Sequence, residues 1–326
     1  MKPVLNFTIR TLRKIIGNKS HHHPLKYYGY VDLNDQQAND YIYRFLTDGN
    51  SGGKMLSKFG SIELGNIVAA HYELHHWNRE FFSDVMDYNA SFDLRRMMKM
   101  LCSNAGFFPY NLNLGIKYYN RMLLDMLEID VLSSYIYEEK YVMPFLTEIK
   151  KRVNLDGFYA PFMWKNPWTK ALKGKRVLVV HPFVESIRSQ YENNRGKIWV
   201  DPNVLPEFSE LLTLKAVQSI ADAKDQPYKD WFEALKYMED EISTKDFDVA
   251  IIGCGAYGMC LAAHVKRMGK IAIHLAGWTQ MLFGVYGNRW LKDQPEYAKF
   301  INEYWVRPNA NERPQGAEKV EGGCYW

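Results

Sequence analysis

A glycine-rich turn between two short apolar runs constrains this chain more than any other feature. Phe247 to Ile252 is apolar and β-branched, as a parallel strand covered on both faces must be. It leads directly into Gly253-Cys254-Gly255-Ala256-Tyr257-Gly258, a GxGxxG at a strand-to-helix junction. Met259 to Met268 then reads as a helix closed by Gly269, and Lys270 to Leu275 as the next strand. Such a turn lets a phosphate approach backbone N–H groups at a helix N-terminus. Glycines needed only for close helix–strand packing give the same pattern, so both readings stand at this point.

A dinucleotide is the obvious ligand for such a turn, but the sequence argues against it. A dinucleotide site carries an Asp or Glu at the end of the second strand to hold the ribose hydroxyls. No acidic residue occurs from Gly253 through Lys292, and the second strand ends on His274, Ala276 and Gly277. The motif also stands late in the chain rather than in its opening unit. A phosphate-bearing ligand other than NAD or FAD is the better expectation.

Length and composition set the outer bounds. At 326 residues the chain allows one large or two ordinary domains. Apolar content of 47% with 24% charged residues describes a globular protein rather than a disordered one. A net charge of +4 is too mild for a nucleic-acid binder by charge alone. The four cysteines, Cys102, Cys254, Cys260 and Cys324, form no CxxC pair, so reduced thiols are expected. No run reaches the length of a membrane span and no signal-peptide core appears, so a cytoplasmic protein is expected. Leu5, Ile9, Leu12 and Ile16 share a helical face beside Arg10, Arg13 and Lys14, with no acidic residue before Asp32. That basic amphipathic helix either docks on its own domain or makes peripheral contact with an anionic membrane surface.

Residues 1–50 read as a helical N-terminal extension, and residues 51–326 as an α/β domain with a helical insertion around 78–128. Lys54 to Gly60 reads as a strand ending in a turn that holds Ser61-Ile62-Glu63, with a helix from Leu64 to Trp77. Leu94 to Cys102 and Leu112 to Leu127 read as helices, and Ile129 to Leu132 as a short strand. Phe158 to Trp168 reads as an aromatic loop. Lys175 to Val180 is a strand followed by a helix from about Glu185 to Glu192, then a strand over Leu211 to Val217 and a helix over Trp231 to Ile242. Alternating strands and helices imply a doubly wound, mostly parallel, Rossmann-like sheet with helices on both faces.

Ligands of such sheets bind at the carboxyl ends of strands. Four ends can be named: Phe59-Gly60-Ser61-Ile62-Glu63, His181-Pro182-Phe183, Gly253-Cys254-Gly255 and Gly277-Trp278-Thr279-Gln280. Asn288 and Arg289 follow the last of them. His71 and His75 lie four apart on a helix, but without an HExxH pattern or third ligand they do not read as a zinc site. Ser186 lacks a GxSxG elbow, and Cys254 reads as a small residue in a tight turn, so neither reads as a nucleophile.

Phe59-Gly60-Ser61-Ile62-Glu63-Leu64 resembles the FGDxE-type turn of bacterial glycosyltransferases with the GT-D fold. The Gly253–Trp290 segment and the closing Arg307-Pro308 … Gly323-Cys324-Tyr325-Trp326 are similar to members of that family from surface-polysaccharide gene clusters. The resemblance covers roughly residues 50 to 326. It implies transfer of a sugar from a nucleotide-sugar donor to a glycan or lipid-linked acceptor. In that family an Asp-x-Glu pair holds a divalent cation, Mn²⁺ or Mg²⁺, together with the donor. Here the Glu falls on Glu63 and the Asp position is Ser61, a much weaker ligand for a hard cation.

The resemblance and the strand ends together give a set of expected roles. Glu63 holds the metal or serves as base, and His181 is a second catalytic candidate. Phe59, Gly60, Ser61, Gly253, Gly255, Gly258, Gly277, Gln280 and Arg289 are the expected nucleotide-sugar contacts. Tyr159, Trp164 and Trp168 are the expected acceptor contacts, and Tyr325 or Trp326 would dock over the site. Two other classes stay open: a non-catalytic polysaccharide-binding or assembly protein, and a different nucleotide-dependent enzyme on the same scaffold.

Overall fold

The computed structural model describes residues 31–75, 93–220, 227–320 and 322–326. The basic N-terminal helix lies outside these residues, as do 78–92 of the expected insertion. Seven strands form one sheet: β1 (Lys54–Lys58), β2 (Val131–Ser134), β3 (Lys151–Asn154), β4 (Arg176–His181), β5 (Glu210–Lys215), β6 (Val249–Ile252) and β7 (Ile271–His274). Their order is β3-β2-β1-β7-β6-β4-β5, and every pairing is parallel. The chain therefore has the doubly wound, Rossmann-like α/β fold expected of its alternating pattern.

Each central strand feeds two cores, which is why these strands read as unbroken apolar runs rather than alternating ones. In β6, Ala250 and Ile252 face one core while Val249 and Ile251 face the other. In β4, Leu178 and Val180 pair with the first core, Val177 and Val179 with the second. The first core is covered by α2 (Ser61–His75), α3 (Leu94–Asn104), α4 (Leu112–Asp125), α7 (Trp231–Ser243) and α8 (Gly258–Arg267). The second is covered by α1 (Asp35–Thr47), α5 (Leu155–Tyr159), α6 (Val184–Ile198) and α9 (Trp278–Leu282). Helix starts follow local chemistry: Asp93, Asn111 and Asp230 each accept a first-turn amide of α3, α4 and α7. Trp231 anchors the first core, stacked between Phe107 and Tyr257 at centroid distances of 5.4 and 5.0 Å.

Four expectations needed correction. The helix expected from Leu64 begins at Ser61, so Ser61, Ile62 and Glu63 form its first turn rather than a preceding loop. The strand expected over Ile129–Leu132 runs Val131–Ser134. The Phe158–Trp168 loop holds helical turns, and the expected acceptor rings Tyr159 and Trp168 are core, while Trp164 is half-buried. Tyr159 stacks on Trp278 at 4.0 Å, and fully buried Trp168 donates its indole N–H to the Phe158 carbonyl at 2.7 Å. The edge strand β3 has no counterpart in the sequence reading, because only Val153 and Asn154 of Lys-Arg-Val-Asn are buried.

Strands β4 and β6 are neighbours whose outgoing connections part. Strand β4 leads through α6 on the second face to β5, while β6 leads through α8 on the first face to β7. A crevice opens at the carboxyl ends of two strands that part in this way.

Candidate functional site

A cavity occupies this crevice and extends along the carboxyl edge of the sheet. Its volume of about 210 Å³ is several times the roughly 30 Å³ a water takes in the liquid, so it admits an organic ligand. Tyr135 beyond β2, Lys58 to Glu63 at β1, and His274, Ala276 and Gly277 at β7 line one end. Gly253 to Tyr257 at β6, His181 to Phe183 at β4, and Val217 to Ile220 beyond β5 line the rest. Arg289, Val320, Tyr325 and Trp326 close it from the C-terminal segment. Every residue named from the sequence for catalysis or nucleotide binding lines this cavity except Gly258.

The glycine turn divides into two roles. Gly255 adopts φ +56°, a left-handed conformation that costs an L side chain, and a Cβ there would stand 2.5 Å from the Ala105 carbonyl oxygen. It faces the cavity. Gly258 instead packs directly on the imidazole of His274, with no room for a Cβ. It is the packing glycine, which joins α8 to β7. Ala276, beside the turn, also holds a positive φ of 51°, an uncommon conformation for a residue with a Cβ and one found at ligand clamps.

Two buried histidines flank the turn. The Nδ1 of His181 accepts the Phe183 amide at 3.0 Å, which leaves the proton of the neutral ring on Nε2. Burial pushes its pKa down to about 3, so the ring is neutral near pH 7 and offers a donor rather than a strong base. His274 is likewise depressed to about 3, by burial and then by the Lys58 cation, and its Nδ1 lies 3.0 Å from Ser57 Oγ. Its Nε2 is buried with no partner among the described residues.

Charge gathers at the β1 end. Glu63 stands in the first turn of α2, where an acid complements the helix dipole, and its carboxylate folds back over Gly60 in space a Cβ would fill. It is the only acidic residue lining the cavity, among the described residues, against the cations Lys58 and Arg289. Lys58 Nζ lies 3.5 Å from the Tyr135 hydroxyl, and the Arg289 guanidinium lies 4.5 Å from the centre of the Tyr325 ring. Tyr135 is half-buried, and its phenol is held well above the usual range by desolvation and then by the Glu63 charge. Lys58, Glu63, Tyr135, Arg289 and Tyr325 thus form one electrostatic cluster.

The donor set does not fit a protein-held divalent cation. Such an ion takes several oxygen ligands, commonly more than one carboxylate. The cavity offers Glu63 and the weak hydroxyl of Ser61, and no group of three His, Cys, Asp or Glu side chains among the described residues could hold a metal. His71, whose partner His75 lies one turn on, is bonded through Nδ1 to the Tyr119 hydroxyl at 2.8 Å.

The C-terminal segment is docked, as its bare aromatics required. Trp326 and Cys324 are buried, the Tyr325 ring lies against Gly277, and Gln280 Nε2 donates to the Tyr325 carbonyl at 3.2 Å. The Gln280 Oε1 and Trp326 Nε1 atoms are buried without a partner among the described residues, an uncommon state for polar groups. Two functional-edge acids were not legible in the sequence. Glu312, in an irregular polar stretch, is 2% exposed and accepts the first amides of α6, from Glu185 at 2.7 Å and Ser186 at 3.2 Å. Ser186 Oγ donates to the same carboxylate, which accounts for that serine structurally. Glu139 lies buried behind Tyr135, accepting from Ser134 Oγ and from the Tyr135 and Ile136 amides. Burial pushes its pKa up to about 7.

No model of a known protein family matches the chain, and no curated protein does. Among solved structures it is similar to a selenomethionine-substituted domain of unknown function 1792, 13% identical, with 88% of this chain and 95% of that one covered. The TM-score is 0.37, a likeness too slight to carry weight, and the fold rests on the sheet itself. Among the described residues, no helix is long and apolar enough to cross a membrane.

Proposed function

We propose that this chain is a glycosyltransferase that moves a sugar from a nucleotide-sugar donor to a glycan or lipid-linked acceptor in surface-polysaccharide synthesis. One observation carries the reading: the cavity at the β4–β6 crevice is walled by both glycine turns and brings Glu63 together with Lys58 and Arg289. Two cations against one acid suit a ligand with more than one negative charge. The resemblance of Phe59–Leu64 to the GT-D turn supplies the reaction class.

In this reaction Glu63 accepts the proton of the acceptor hydroxyl as that oxygen bonds to the anomeric carbon. The bond from that carbon to the phosphate oxygen breaks, and its electron pair leaves with the diphosphate. Lys58, Arg289 and the first-turn amides of α2 stabilise the leaving charge. His181, neutral and with its proton on Nε2, donates a hydrogen bond and does not act as the base. No step passes through a metal, since the lining holds one carboxylate. Any cation present would be held by Glu63 together with the ligand's own phosphates.

Calorimetric titration with nucleoside diphosphates and nucleotide sugars, each with Mn²⁺, Mg²⁺ or EDTA, tests the proposal. Selective binding of one nucleotide family, retained in EDTA, followed by sugar transfer from that donor, is the expected result. Binding of glycan with no nucleotide affinity would overturn it in favour of a polysaccharide-assembly protein.

A further inference from the structure

The two ends of the cavity differ in kind. All three of its charged residues among the described ones, Lys58, Glu63 and Arg289, belong to the β1–β7 end, where Glu63 and Arg289 both act on Tyr135. The β4–β5 end carries Phe183, Gln218, Ser219, Ile220, Tyr257 and Trp326, with no charge. There Ser219 Oγ is tied to the Gly106 carbonyl at 2.5 Å and lies 3.2 Å from the Tyr257 hydroxyl, which fixes that wall. Phe183, Ala317, Val320 and Trp326 form a small apolar cluster of their own, with Ile220 and Tyr325 packed against it.

A second, independent feature separates the ends. Three long helices begin at this edge of the sheet: α2 after β1, α6 after β4 and α8 after β6. The first amides of α6 are already taken by the buried Glu312 carboxylate. An anion cannot use those two amides. Glu63 stands in the first turn of α2, but there the acid lines the cavity together with the cations Lys58 and Arg289.

We propose that the nucleotide lies along the edge in one direction: its heterocyclic base in the uncharged slot over β4 and β5, and its diphosphate over β1 and β7 between Lys58 and Arg289. A flat heterocycle gains stacking and apolar contact from Phe183, Ile220 and Trp326 and loses little solvation of charge there. The diphosphate gains charge-assisted hydrogen bonds at the opposite end. This orientation puts the anomeric carbon beside Glu63, and it rests on the nucleotide-sugar reading above.

Separate probes for the two ends test it. Uridine, adenosine, guanosine, cytidine and thymidine report the base slot, inorganic pyrophosphate the charged end, and the matching nucleoside diphosphates the whole ligand. Each is titrated by calorimetry, or by displacement of the nucleoside diphosphate, into the wild type and into Lys58→Met, Arg289→Met, Ser219→Phe and Phe183→Leu. Melting of each unliganded variant verifies its fold, and Phe183→Leu serves if Ser219→Phe does not fold. Lys58→Met and Arg289→Met are expected to weaken pyrophosphate and diphosphate at least about tenfold, the loss of one charged hydrogen bond, and to leave the nucleoside unchanged. The slot variants are expected to do the reverse. Pyrophosphate binding lost in the slot variants and kept in Lys58→Met would overturn the orientation while leaving the nucleotide reading intact. A wild type that binds none of the probes would overturn both.

Discussion

The two edges of this sheet are built on opposite rules. At the amino edge, charges meet in pairs. Buried Asp125 accepts from Arg121 at 2.5 Å and Arg267 at 2.7 Å, Asp130 binds Lys266 and Lys150, and Lys54 at the head of β1 binds Asp48. At the carboxyl edge, polar atoms of His274, Thr279, Gln280 and Trp326 are buried without a partner among the described residues, backbone is held at positive φ at Gly255 and Ala276, and charges gather around a cavity. One edge closes the fold, and the other opens on a cavity lined by polar groups. That difference marks the candidate site without reference to any relative.

If the division is right, substitutions at the two edges fail in different ways. The largest expected effect is on turnover. Glu63→Gln should lower the transfer rate by about 10²- to 10⁴-fold, the span of a lost general base, with folding stability lowered by no more than about 1 kcal/mol for the charge lost from the first turn of α2. Steady-state kinetics beside thermal melting checks this, and an active variant would remove the assigned base. Asp125→Asn should do the converse. Loss of its charge leaves two arginines without their buried partner and costs about 2 kcal/mol in denaturant unfolding, with nucleotide affinity unchanged.

Much of this was legible because it is local. The runs Val249–Ile252 and Val177–Val180 are apolar throughout, and both proved to be central strands. The glycines of 253–258 mark the turn between strand and helix wherever the chain folds. What could not be read depends on distant partners. Strand β3 is half-exposed at the edge, so Lys151 and Arg152 hide its pairing with β2. Ser61 to Glu63 looked like loop because Gly60 and Ser61 are turn formers, and only the fold shows the helix starting there. Glu312 meets Ser186 across 126 positions, so no window of sequence contains the contact. Gly258 and Gly255 look alike in the motif, and only His274 and the cavity tell them apart.

The next effect in size concerns pH. Glu139 is raised from 4.5 to about 7 when folded, so its contribution is fully present below pH 4.5 and is lost as pH rises through about 7. His181 and His274 act with the opposite sign. Folded near 3 against 6.5 unfolded, they add stability as pH climbs across that interval. Glu139→Gln should therefore remove a fall in stability between pH 4.5 and 7 of at most about 1.4 kcal/mol per pH unit, leaving the histidine slope on the acid side. Urea unfolding across pH 3 to 8 reads both. The smallest expected effect is at Glu312. Its substitution by Gln keeps hydrogen-bonding capacity but removes the charge from the α6 terminus, at a cost of about 1 kcal/mol, measured by the same unfolding.

The measurement that tests the central contrast most directly is amide hydrogen exchange with and without a saturating nucleoside diphosphate. The account predicts slowed exchange at Phe59–Glu63, Gly253–Gly258, Trp278–Gln280 and Gly323–Trp326, with the amino-edge segments around Asp125, Asp130 and Arg267 unchanged. Protection at the amino edge, or none at the carboxyl edge while the nucleotide is bound, would contradict it.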